Sequence, residues 1–83
     1  MAPSSVDDVY ANAKWLCGHL EARGQTQPAD ELRIAIAAGA TGTEILMALR
    51  WHLQQLREAG AFSNDEVSVV DRIVSDIQRL LKF

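Results

Sequence analysis

The chain has 83 residues, 48% of them hydrophobic and 23% charged, with a formal net charge of −3. That length supports a single domain with one modest core, and the composition is too apolar for a disordered segment and too mixed for a fibre. No apolar run approaches the roughly 18 residues of a membrane span, and a net negative charge removes the attraction to phosphate backbones that supplies most non-specific nucleic-acid affinity.

Glycine and proline cut the chain into four helical segments: Gly24 stands before Pro28, Gly39 with Gly42, and Gly60 before Ser63. Glycine just past a helix end and proline near a helix start are the expected marks. The first helix runs from about Ser5 to Arg23. Ser4 or Ser5 can accept a backbone N–H bond at its start, and Asp7 and Asp8 meet the positive end of the helix dipole. Its apolar face is Val6, Val9, Tyr10, Ala13, Leu16, Cys17 and Leu20.

The second segment, Pro28 to Ala38, contains Leu32-Arg33-Ile34-Ala35-Ile36, which alternates like a strand. Ala29, Ala35, Ala37 and Ala38 favour helix, and a lone strand would have no partner, so a short helix is expected. The third, Thr43 to Ala59, follows a capping-box pattern from Thr41 to Glu44 and buries Ile45, Leu49, His52, Leu53 and Leu56. The fourth, Asn64 to Lys82, follows another from Ser63 to Glu66. Val67, Val70, Val74, Ile77 and Leu81 form its stripe, widened by Ile73 and Leu80, while Asp71, Arg72, Ser75, Gln78, Arg79 and Lys82 face water. The fold class is therefore all-α. One domain, residues 1–83, forms a compact four-helix bundle of three longer helices and one short helix.

The pattern Ala35-x-x-x-Gly39-x-Thr41-x-x-x-Ile45, with apolar Ile34, Ala38, Ala40 and Ala48, resembles the helix-turn-helix signature. The resemblance spans about twenty residues and implies that helices two and three meet closely through small residues at a steep angle. It also implies DNA binding, which the residues do not support. Thr41, Gly42, Thr43, Leu46 and Met47 would meet base edges and phosphates, with Arg50 arriving late. Arg50 and Arg57 are too sparse for a basic stripe and are diluted by Glu44 and Glu58. Nucleic acid is thus not the expected partner, and a DNA-binding regulator dimerising through helix four is the alternative reading.

A search for chemistry finds little. His19 lies at the polar edge of helix one and His52 inside the stripe of helix three, and neither has Ser, Cys or a carboxylate at relay spacing. Cys17 is the single cysteine, unable to form an internal disulfide, and with His19 two residues on it faces a different side. The acid pairs Asp7 and Asp8, Asp30 and Glu31, and Asp65 and Glu66 sit at helix starts, where capping accounts for them. Gly39-Ala40-Thr41-Gly42-Thr43 lacks the order, lysine and preceding strand of a phosphate loop. No catalytic residue, cofactor or metal ligand is expected. A small enzyme or ligand-binding bundle using His52 and Tyr10 is the third reading.

Two surfaces fit a simple bundle badly. Trp15 projects roughly 160° from the main stripe of helix one, beside Ala11, Gly18 and Ala22, and Met47 and Trp51 project about as far from Leu49 and Leu56. Helix two is apolar nearly all round. Either helix two lies against the backs of helices one and three and the tryptophans clamp it, or at least one of Trp15, Met47 and Trp51 is exposed for another chain. Arg50, Gln54 and Glu58 border Trp51. The expected function is a non-enzymatic protein-binding module, a small acidic partner of the immunity, antitoxin or inhibitory kind. The expected partner-binding set is Trp51, Met47, Trp15, Arg50, Gln54 and Glu58. A homo-oligomer is compatible with this, and Leu80-Leu81-Lys82-Phe83 either packs home or reaches a neighbour. The opening Met1-Ala-Pro-Ser-Ser-Val-Asp-Asp has neither the basic flank nor the apolar stretch of a secretory signal, so a cytoplasmic location is expected.

Overall fold

A computed structural model describes residues 6–39 and 41–81, which form four helices: α1 (Val6–Ala22), α2 (Thr26–Ala38), α3 (Gly42–Glu58) and α4 (Asn64–Leu81). The expected caps at Ser4 and Ser5, the turn residue Ala40, and Lys82 and Phe83 lie outside the described residues. Gly24 and Gly60 adopt φ of +79° and +75° just past α1 and α3. Each permits the same helix ending. The Gln25 N–H donates to the Leu20 carbonyl at 2.8 Å and Gly24 to Glu21 at 3.0 Å; Ala61 donates to Leu56 at 3.0 Å and Gly60 to Arg57 at 3.1 Å. These paired bonds satisfy the last carbonyls of each helix and turn the chain back.

α2 begins at Thr26, two residues earlier than the proline suggested. Pro28 sits inside the first turn, where a missing N–H costs no helix bond. α3 opens as its sequence specifies, with the Glu44 N–H donating to Thr41 Oγ1 at 3.2 Å.

Each helix packs against the next in the chain, and α4 returns to pack against α1, so the four form a closed ring. The diagonal pairs, α1 with α3 and α2 with α4, make no close backbone approach among the described residues. Leu16 and Leu20 of α1, Leu32 of α2, Leu49 and Leu53 of α3, and Ile73 and Ile77 of α4 are fully buried at the centre. Each such side chain contributes about 1.5–3 kcal/mol of transfer free energy.

The buried faces are turned somewhat from those expected. On α3 the core stripe is Leu46, Leu49 and Leu53, while Ile45, His52 and Leu56 are half-buried. Leu46 therefore cannot meet a base edge. On α4, Glu66 and Asp76 join Val70, Ile73 and Ile77 inside, and Val67, Val74 and Leu81 are half-buried. α4 lies between α1 and α3 and must present its face to both, which rotates the stripe toward α1 and takes two acids with it. Val6 and Tyr10, at the start of α1, are also only half-buried.

The turn between α2 and α3 depends on Gly39. Its backbone is extended, at φ −74° and ψ 136°. A Cβ there would lie 2.9 Å from the Ile45 nitrogen and 3.1 Å from its Cα. The close approach implied by the Gly39 and Ile45 pattern is present, and glycine is needed for lack of room rather than for backbone freedom.

Candidate functional site

Four large apolar side chains stand out of the core: Trp15 is 47% exposed, Ile34 63%, Met47 50% and Trp51 56%. The reading in which the tryptophans are buried as a clamp around α2 does not hold. At ~100° per residue, Trp51 stands about 170° and Met47 about 130° from the centre of the Leu46, Leu49 and Leu53 stripe. The Trp51 ring meets His52 edge-on, with centroids 4.9 Å apart and planes at 90°. Trp15 instead stacks on His19, with centroids 4.9 Å apart and planes at 21°. His19 turns toward α4, so Trp15 leans away from α2.

Of the expected partner-binding residues, the structure brings Met47, Trp51 and Glu58 onto one outward face of α3, with Gln54 half-buried at its edge toward α4. Arg50 stands at the side of that face and is half-buried. Trp15 does not join it, because α1 is diagonal to α3 in the ring. Ile34, on the outward face of α2, belongs with the exposed set and was not singled out from the sequence. Helix two is not apolar all round as expected: Gln27, Asp30 and Arg33 are exposed on one side, and the position of Ile34 among them was the available signal.

A second cluster, between α1 and α4, has Glu66 in its expected capping box and brings His19 to the same carboxylate. Glu66 is fully buried and closes the capping box: the Ser63 N–H donates to its Oε1 at 2.8 Å, and its own N–H donates to Ser63 Oγ at 3.3 Å. Arg23 grips the same carboxylate with both arms, Nη2 to Oε1 at 2.5 Å and Nε to Oε2 at 2.8 Å. His19 Nδ1 lies 2.5 Å from Oε2. An ionised carboxylate only accepts, so Nδ1 carries a proton in this pair. Arg23 also donates to the Ala61 carbonyl at 3.1 Å, tying the end of α1 to the loop before α4.

The chemistry of this cluster is that of a staple. The Arg23 hydrogen bonds, helped by the Ser63 N–H and His19, outweigh desolvation and hold the Glu66 carboxyl at about 2. A carboxylate that acidic is a poor base at neutral pH. Asp76, the other buried acid, receives Arg79 at 2.5 Å from the same helix. Arg57 reaches Asp71 at 2.9 Å across α3 and α4, and Arg33 pairs with Glu21 across α2 and α1. Cys17 is buried with its thiol directed at the Ala29 carbonyl, 3.7 Å away, and burial raises its pKa, which makes it unreactive.

An open groove of about 530 Å³ between α3 and α4 is lined by Gln54, Glu58, Asp71 and Gln78 among others. Its polar walls hold neither His nor Cys. Among the described residues, no three His, Cys, Asp or Glu side chains converge as metal ligands, and no helix is long and apolar enough to cross a membrane. No protein-family model, curated protein or solved structure matches the chain.

Proposed function

We propose that the chain is a non-enzymatic protein-binding module, a small acidic helical partner of the kind that serves as an antitoxin, an immunity protein or an inhibitory subunit. The observation that carries this reading is the exposure of both tryptophans and Met47 beside a core that is already filled without them. Covering such side chains is worth about 1.5–3 kcal/mol each, and Trp and Met are enriched at interface centres. A net charge of −3 steers the chain toward a basic target. A cytoplasmic location belongs to the same proposal.

The test is a photoreactive amino acid placed at position 51, with the exposed Asp65 position as control, in cells that make the protein naturally. A single protein joined from position 51 and not from 65, which then binds the purified chain and binds its Trp51→Ala variant at least about tenfold more weakly, supports the reading. Identical adducts from both positions, or none from position 51, contradict it.

A helix-turn-helix DNA-binding regulator is the second reading, favoured only by the Gly39 and Ile45 approach. Against it stand buried Leu46 and the acids Glu44 and Glu58 on the exposed side of α3. Fluorescence anisotropy with random duplex at low salt decides: absence of binding at tens of micromolar protein, roughly the weak end of non-specific affinity, retires it.

A further inference from the structure

We propose that the groove between α1 and α2 binds a small carboxylate with a short aliphatic chain, its anionic end on Lys14 and its chain lying over Cys17 and Ile36. The inference is independent of the binding-module reading and uses none of its residues. The groove measures about 280 Å³ and is lined by Lys14, Cys17, Arg33 and Ile36. Its floor is apolar, since Cys17 is buried and Ile36 half-buried. The Cys17 thiol already donates to the Ala29 carbonyl, so it requires no polar partner from a ligand. Space of that size holds about nine water-sized groups at ~30 Å³ each, which suits a six-carbon acid.

The two cations of the groove are not equivalent. Arg33 is engaged by Glu21 of α1 and lies 3.8 Å from Asp30 of its own helix, so its charge is met within the chain. Lys14 is exposed and has no ion-pair partner among the described residues. Its ammonium stays in water while its stem covers apolar surface. Lys14 and Glu21 stand two turns apart on α1, about 10.5 Å at about 1.5 Å per residue, with Cys17 between them. The groove therefore runs from an unpaired cation, over an apolar floor, toward the Glu21–Arg33 bridge that ties the two helices together. A few polar groups beside apolar surface are the usual make-up of a small-molecule site. A ligand with one anionic end and an apolar body matches this layout in one direction only. A neutral chain would leave Lys14 without a counterpart, and an ammonium would be repelled by it.

Hexanoate, hexanol and hexylammonium, titrated separately into the full chain at low salt, test this, with binding read from backbone amide shifts in proton–nitrogen NMR spectra. Hexanoate is expected to move the amides of Cys17, Arg33 and Ile36 saturably. It should bind about threefold tighter than hexanol, the effect of one exposed ion pair, and hexylammonium should bind weakest. Lys14→Met should make hexanoate and hexanol equal, and Lys14→Glu should place hexylammonium above hexanoate. Lys14 is exposed, so both variants keep the fold. Shifts that never saturate, or that fall on Met47 and Trp51 instead of the groove, overturn the inference. Equal affinity for hexanoate and hexanol in the natural chain, or a preference that survives Lys14→Met, overturns it as well. None of these results bears on the binding-module reading, which is judged by the cross-link at position 51.

Discussion

His19 Nδ1 lies 2.5 Å from the carboxylate of Glu66, a residue 47 positions further along the chain and fully buried. Together with Arg23, that carboxylate fastens the end of α1 to the start of α4 and closes the ring of helices. Replacing Glu66 by Gln keeps the side chain's shape but removes its charge, and is expected to cost about 1–3 kcal/mol. Urea denaturation of the two proteins, with equal m-values, checks this.

The same group sets an acid limit. Its carboxyl lies at about 2 in the folded chain against an ordinary value of 4.5. The unfolded chain therefore takes up the proton first as pH falls. The stabilisation is complete above 4.5 and is lost as pH drops toward 2. The urea midpoint should fall through that window, and Glu66→Gln should flatten most of the fall. Glu21, lowered by Arg33 but exposed, leaves a small remainder.

Two glycines should respond oppositely to alanine. At Gly39 an added methyl meets Ile45 backbone, which cannot yield, and Gly39→Ala is expected to destabilise by about 1–3 kcal/mol. At Gly18, inside α1, the added methyl meets nothing within 4 Å, and Gly18→Ala should stabilise by about 0.5–1 kcal/mol. Thermal melts of both variants decide the signs.

Leu49 and Trp51 lie on opposite sides of α3. Leu49→Ala opens a cavity in the core and is expected to cost about 2–5 kcal/mol. Trp51→Ala removes an exposed ring and should leave the urea midpoint nearly unchanged while weakening partner binding. Equal destabilisation by both substitutions would make Trp51 a core residue.

The four helices were legible because their signals are local: capping pairs at Thr41 and Ser63, glycines at 24 and 60, and periodic apolar residues. That Trp15, Met47 and Trp51 point away from the core stripes was legible for the same reason. Whether they stay exposed or clamp helix two was not, because that depends on where helix two packs. What escaped was set by packing between helices. Glu66 reads as a cap in its own helix, and only the docking of α1 beside it reveals that His19 and Arg23 converge there. The turn of the α4 stripe toward α1, the burial of Asp76 and the inward position of Leu46 have the same origin. Ile34 escaped because helix two was read as apolar nearly all round, whereas Gln27, Asp30, Glu31 and Arg33 mark an outward polar side on which Ile34 falls.

The account depends on both indole rings being open to water in the isolated, folded chain. Acrylamide quenching of two single-tryptophan proteins, Trp15→Phe and Trp51→Phe, measured in buffer and in urea, tests this most directly. The account predicts red-shifted emission and folded-state quenching close to that of the unfolded chain for each remaining ring. Blue-shifted emission with strong protection of both rings in a monomer would contradict it.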